Sequence, residues 1–330
     1  MSTILIPALL IGGLGLIFGL ILAFASKKFH VEVDERITKI MEVLPGANCG
    51  ACGKPGCSGY AEAIVNENEA MNKCAPGGSE VAAKIGEIMG QKVEAGARKI
   101  AVIHCQSGGK NNTFFRYEYK GIESCKAAAA LAKSPNLCSF GCVFQNDCVR
   151  ACEFDAFSID ENGMRIIDPK KCVGCGACVE ACPQNLIKLI PEDKHVHILC
   201  SSEDKGAVAR KSCGNSTACI ACGLCVKKCP VGAITIVNNH AVIDYTKCID
   251  CGQCALVCPT KAIEDKLKGT RKKAKVIEDK CIGCTICARN CPVDAIDGKV
   301  KEIHHVNEDK CIGCGICIEK CPKDAIEWTD

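Results

Sequence analysis

Residues 172–183 read CVGCGACVEACP, and the rest of the chain is best read outward from this stretch. Its four cysteines are separated by two, two and three residues, and a proline follows the fourth. The unit recurs as Cys219/Cys222/Cys225/Cys229, Cys248/Cys251/Cys254/Cys258, Cys281/Cys284/Cys287/Cys291 and Cys311/Cys314/Cys317/Cys321. All five copies close on Cys-Pro, at Pro183, Pro230, Pro259, Pro292 and Pro322. A sixth run, Cys138/Cys142/Cys148/Cys152, is more loosely spaced and carries Glu153 where the others have proline. Self-similarity at this scale marks an array of small units rather than one large core.

Composition agrees. The chain has 330 residues and 32 cysteines, but only 4% of it is aromatic, too little for a large carbon interior to hold it together. Cysteine at such density means either a secreted disulfide framework or a reduced intracellular metal protein. Tight runs of four suit one tetrahedral cage each, whereas disulfide scaffolds scatter their cysteines among loops.

The spacing is that of bacterial ferredoxins, in which three thiolates of a run bind one [4Fe–4S] cluster and the fourth reaches the neighbouring cluster. Six runs then make three two-cluster modules. In the first, Cys138, Cys142 and Cys148 join Cys182, and Cys172, Cys175 and Cys178 join Cys152. In the second, Cys219, Cys222 and Cys225 join Cys258, and Cys248, Cys251 and Cys254 join Cys229. The third uses Cys281, Cys284 and Cys287 with Cys321, and Cys311, Cys314 and Cys317 with Cys291. Residues 233–237 and 241–244 alternate around Asn238 and Asn239, which predicts a β-hairpin. Modules this small bury little apolar surface, so the clusters supply most of the folding free energy.

Two further cysteine groups stand apart. Cys49, Cys52, Cys57 and Cys74 lie among glycines and prolines and fit a seventh cage, with zinc as the alternative metal. Cys105, Cys125, Cys200 and Cys213 remain. Cys105 ends the run IAVIHC and Cys200 ends VHILC, which suggests two neighbouring strands. If these strands pair, the four cysteines form an eighth site for a cluster or zinc; otherwise they are small buried apolar groups.

Residues 4–25 carry no charge and, as a helix of roughly 33 Å, are long enough to cross a hydrocarbon core. Lys27 and Lys28 follow the apolar run, unlike the basic start of a cleavable signal peptide, and place residues 27–330 on the cytoplasmic side of a cell (inner) membrane. Gly12, Gly15 and Gly19 form a smooth stripe, either an approach face for another membrane helix or glycines tolerated in a lone anchor.

Fully cysteine-capped clusters move single electrons and leave no open site for a substrate. No dinucleotide fingerprint follows a strand, so no flavin or NAD site is read on this chain, and no catalytic residue is assigned. Seven loaded clusters would take the formal charge of +3 to about −11, which removes the case for nucleic acid. Residues 266–275, KLKGTRKKAK, read as a solvated basic linker or as a docking patch for an acidic redox partner.

The expected architecture is α+β: one N-terminal transmembrane helix, a small four-cysteine iron–sulfur domain and three tandem bacterial-type 2[4Fe–4S] ferredoxin modules. The boundaries are an anchor at 1–29, the four-cysteine domain at 30–80, an insert at 81–215 around the first module (about 134–190), the second module at 216–265, the linker at 266–275 and the third module at 276–330.

One apolar span ending AFASKKF, then ANCGACGKPGCSGYAEAI with NKCAPGG after it, then ferredoxin repeats: this order resembles the B-subunit family of the Rnf complex, in its long clostridial-type form. The resemblance covers essentially the whole chain, and its first 80 residues are the specific part. It implies a membrane-anchored electron-transfer component that takes electrons from reduced ferredoxin and passes them to membrane subunits of a complex reducing NAD⁺, coupled to Na⁺ or H⁺ translocation. Partners would be the other Rnf subunits, soluble ferredoxin and the lipid bilayer. Chain order suggests electron entry at the C-terminal modules and exit at the Cys49 cluster. The alternatives are a polyferredoxin of another membrane redox complex, of hydrogenase or heterodisulfide-reductase type, and a zinc-rich interaction or redox-sensing module.

Overall fold

The computed structural model describes residues 2–28, 34–93, 96–107, 109–131 and 133–329. The chain divides into two compact units, one of residues 1–48 with 52–94 and the other of residues 49–51 with 95–330.

In the first unit, helix α1 runs Ser2–Lys28. Among the described residues no helix is long and apolar enough to cross a membrane. The expected junction between anchor and four-cysteine domain, at 29–30, lies outside the described residues. Three further helices follow: α2 (Glu35–Val43), α3 (Gly56–Glu67) and α4 (Gly78–Met89). Asp34 starts α2 by accepting the Arg36 N–H at 2.9 Å, an N-cap that satisfies a donor the helix leaves free. Ile40, Leu44, Tyr60, Ile64 and Ile85 from the three helices make the core.

In the second unit the strands, in chain order, are β1 (Lys99–Ile103), β2 (Phe157–Ile159), β3 (Arg165–Ile167), β4 (Ile187–Pro191), β5 (Val196–Ile198), β6 (Ile234–Val237), β7 (His240–Ile243), β8 (Ile263–Asp265), β9 (Ala274–Val276), β10 (Ile296–Asp297), β11 (His305–Val306) and β12 (Ile326–Trp328). They form antiparallel pairs, and the pairing repeats three times. An inner pair follows the first cysteine run of each module: β2–β3, β6–β7 and β10–β11. An outer pair joins a strand ahead of the module to the strand after its second run: β1–β4, β5–β8 and β9–β12.

The expected hairpin at Asn238-Asn239 is β6–β7, with both asparagines left-handed (φ 46° and 63°), as a two-residue turn matched to strand twist requires. The strands preceding Cys105 and Cys200 do not pair with each other. Each is instead the outer strand of its own module, because its apolar face is needed over that module's cysteines. The basic segment is likewise not all linker. Ala274 and Lys275 already belong to β9, and Arg271 is held by Asp265 at 2.7 Å.

Cysteines are part of the interior. The core of the third module consists of Ala274, Val276, Cys287, Ile296, Cys317 and Ile326, and that of the second includes Cys219, Cys225 and Cys254. Aliphatic groups this few depend on what the thiols hold to complete their packing.

Candidate metal centres

In each regular run the backbone turns twice into the left-handed region, once before and once after the second cysteine. The first turn is at Gly174, Ala221, Asp250, Gly283 and Gly313, and the second at Gly176, Gly223, Gly252, Thr285 and Gly315. The second of these residues starts a short helix that bears the third cysteine, as in Ala177–Ala181 and Ile316–Glu319. Such alternation turns successive N–H groups toward one side, making a concavity suited to anionic sulfur. A third left-handed residue lies three positions after the fourth cysteine, at Asn185, Gly232, Lys261, Asp294 and Asp324. Beyond it the chain folds back: the N–H groups of Ala233, Ala295 and Ala325 donate to the sulfurs of Cys229, Cys291 and Cys321 at 3.2 Å each.

The runs surround small cavities. One is lined by Cys281, Cys284, Cys287 and Cys321, the next by Cys291, Cys311, Cys314 and Cys317. A third is lined by Cys219, Cys222, Cys225 and Cys258, a fourth by Cys152, Cys172, Cys175 and Cys178. Each brings three cysteines of one run to the fourth cysteine of its neighbour. For the remaining regular set, Cys229 faces Cys251 closely enough for its charge to raise the Cys251 thiol, while Cys251 and Cys248 act likewise on Cys254. Among the described residues no group of three or more His, Cys, Asp or Glu is gathered tightly enough to hold a single metal ion. The cysteines instead line shared hollows, three from one run and one from its neighbour, the donor set a cluster takes.

As free thiols these groups are costly. Burial, joined by the charges of neighbouring cysteines, pushes Cys178, Cys254 and Cys317 up to about 12. Iron offsets both effects, since a bound cation inverts the local preference and holds thiols deprotonated.

The sixth run departs from the sequence reading. Phe144 and Asn146 are left-handed (both φ 64°), Asn146 starts the helix Asp147–Arg150, and Asp155 is left-handed at 47°. These are the positions of Gly174, Gly176 and Asn185. Residues 142–153, CVFQNDCVRACE, therefore follow the regular pattern with Gln145 in place of the second cysteine. In this register the run starts at Cys142, with Cys138 four residues ahead of it. Its cavity is lined by Cys125, Cys142, Cys148 and Cys182, among others. Cys125 starts the helix Cys125–Ala130, Ser124 caps it, and the Gln145 backbone hydrogen-bonds the Cys125 sulfur.

Arg165 locks this arrangement. It donates to the Phe144 carbonyl at 2.7 Å and to Asn146 Oδ1, and its guanidinium stands 4.9 Å from the Phe144 ring centre. A bulky residue in the left-handed region is thereby held by its surroundings.

In the first unit, Cys52, Cys57 and Cys74 pack against the helical core. Asn48 Oδ1 accepts the Cys57 N–H at 2.8 Å, and Tyr60, whose hydroxyl donates to the Ala70 carbonyl, accepts the Lys73 N–H. Cys49 groups with the second unit.

Comparison with known proteins finds iron–sulfur domains over the same cysteine runs. Models described as "4Fe-4S dicluster domain" match residues 137–186, 171–233, 218–263, 241–298 and 274–328, and "Putative Fe-S cluster" matches 44–76. The chain is 44% identical over 247 residues to the B subunit of the Na⁺-translocating ferredoxin:NAD⁺ oxidoreductase complex of Acetobacterium woodii, covering 75% of this chain and 73% of that protein. It is 40% identical to the B subunit of an ion-translocating oxidoreductase complex of Methanosarcina acetivorans, covering 80% and 99%, respectively. The B subunit of the proton-translocating ferredoxin:NAD⁺ oxidoreductase complex of Clostridium ljungdahlii is 38% identical, covering 74% and 85%. With iron–sulfur matches over every cysteine run and this identity over most of both chains, the protein belongs to the B-subunit family of the ion-translocating ferredoxin:NAD⁺ oxidoreductase (Rnf) complexes.

Proposed function

We propose that this chain is the electron entry wire of its complex: it accepts electrons from reduced ferredoxin and passes them to the membrane subunits that reduce NAD⁺ and move Na⁺ or H⁺. It is an iron–sulfur electron-transfer subunit of the Rnf complex. The observation that carries the reading is the crossed lining of the cavities, three cysteines from one run and one from its neighbour. When bound, [4Fe–4S] clusters supply one-electron steps at potentials that the surrounding N–H groups and charges set.

The residues that would hold them are Cys172, Cys175, Cys178 with Cys152; Cys219, Cys222, Cys225 with Cys258; Cys248, Cys251, Cys254 with Cys229; Cys281, Cys284, Cys287 with Cys321; and Cys311, Cys314, Cys317 with Cys291. In the irregular run the set is Cys125, Cys142, Cys148 and Cys182, with Cys125 replacing Cys138. Cys49, Cys52, Cys57 and Cys74 make the seventh. Ala233, Ala295 and Ala325 give their N–H groups to ligand sulfurs, and Arg165 places a cation at the Cys142 cavity.

We infer that α1 is the single membrane anchor. Its side chains Leu16, Phe18, Leu22 and Phe24 are 59–69% exposed, a surface suited to lipid. Lys27 and Lys28 then mark the cytoplasmic end.

Replacing Cys314 by Ala in the assembled complex tests the reading. NAD⁺ reduction driven by reduced ferredoxin should fall at least tenfold, and the chain should lose about four iron atoms. Unchanged iron content would refute the ligand set, and unchanged turnover with iron lost would refute the route.

A further inference from the structure

Assigning Cys125 to the irregular run leaves Cys138 without a place, along with Cys105, Cys200 and Cys213. We propose that these four hold an eighth [4Fe–4S] cluster, standing between the first and second ferredoxin modules. The inference rests on the Cys125 assignment above.

The modules' shared topology brings the first two ligands together. Cys105 lies two residues past β1 and Cys200 two residues past β5, matching positions beyond the outer strands of the first and second modules. In the third module that position is Glu278 and the chain enters its first run directly. In the first two it detours through 104–141 and 199–218, and these detours hold all four cysteines. Although β1 and β5 are not paired, their ends are joined. His104 Nδ1 contacts the Ile198 carbonyl at 2.7 Å, and Ser201 Oγ donates to the His104 carbonyl at 3.2 Å.

The other two ligands are fastened to the same place. Asn215 and Thr217 both donate to the Gln106 carbonyl, at 2.5 and 3.1 Å, pinning the turn that starts at Cys213 against the residue after Cys105. A side chain at Gly214 would strike the Asn112 carbonyl, so that turn lies flush on the first detour. Ser202, buried and two residues past Cys200, lies beside the Cys138 sulfur. Burial raises the Cys105 and Cys200 thiols, and the backbone amides of Ser107 and Cys142 beside the one sulfur, and of Ser202 and Cys219 beside the other, partly offset it.

Position gives the site its role. Cys105 faces Cys142 of the first module and Cys200 faces Cys219 of the second, so the site has a cluster ligand on either side. Cys251 faces Cys314 in the same manner, so the second and third modules adjoin directly. An electron already supplied by the complex's ferredoxin would pass through, leaving no net oxidation or reduction at the site.

The test uses the full chain, purified anaerobically, with iron, acid-labile sulfide and low-temperature EPR as readouts. Cys138→Ala and Cys213→Ala should each remove about four iron atoms and the same EPR component. Cys125→Ala should remove a different component, and Gln145→Cys should restore it, because Gln145 occupies the vacant ligand position; Gln145→Cys should not restore the component lost in Cys138→Ala. Full iron in both Cys138→Ala and Cys213→Ala overturns the eighth cluster and leaves the Cys125 assignment standing. Full iron in Cys125→Ala, with Cys138→Ala losing a component that Cys182→Ala also loses, overturns the assignment itself.

Discussion

Arg271 donates to Asp265 at 2.7 Å, with the two side chains only 14% and 5% exposed. A cation from the most basic segment of the chain thus sits in the second module and binds the last residue of β8. Gly252 makes room for the pair, since a side chain there would meet both partners. Asp250, also within 3.9 Å of Arg271, accepts the backbone N–H groups of His195 and Val196 at 2.8 and 2.9 Å and so ties down β5.

Removing Arg271 leaves a buried carboxylate without its partner. Arg271→Ala should destabilise the loaded chain by about 2–3 kcal/mol, and Arg271→Ala with Asp265→Ala should cost less than Arg271→Ala alone. The midpoint of thermal bleaching of the visible absorption measures both; equal losses would contradict the account.

Thr285 holds a left-handed backbone (φ 63°) where the other four regular runs have glycine. A β-branched residue pays for that conformation, so Thr285→Gly should stabilise the third module by about 1 kcal/mol. Iron release to a chelator should slow roughly fivefold, the same difference expressed as a rate.

Arg165 is 6% exposed, lines the Cys142 cavity and fixes both left-handed residues of the irregular run. Its charge lowers the Cys142 and Cys148 thiols against the burial that raises them. Arg165→Met should make that cluster's midpoint potential more negative, because the oxidised, less anionic state needs the cation less. Potentiometric EPR titration checks the direction.

Iron removal should unfold the second unit beyond its cavities. Where Cys287 and Cys317 make up a third of a module's core, chelation under reducing conditions should abolish far-UV signal from the strands of 96–329, and iron and sulfide should restore it. A chain that keeps its strands without iron would show that the aliphatic contacts suffice.

Much of this is legible in the five regular runs, where cysteine spacing dictates the turn, the short helix and the crossed fourth ligand. The irregular run misleads because its cysteines can be counted in the sequence and its backbone cannot. Gln145 hides the register, and the cysteine that lines the cavity in its stead, Cys125, lies twenty residues upstream, where spacing says nothing. Aligning CVFQNDCVRACE with CVGCGACVEACP exposes it. The outer strands are hidden for a related reason: two apolar runs of similar composition suggest a pair, but each is matched to a distant strand by the module it must cover.

The exchange of fourth sulfurs between adjacent runs bears on how the protein is made. Neither member of a couple can be completed until its neighbour's polypeptide is drawn alongside, so filling one prepares the other. Under iron shortage a couple with one member already filled should complete the other sooner than a vacant couple fills its first.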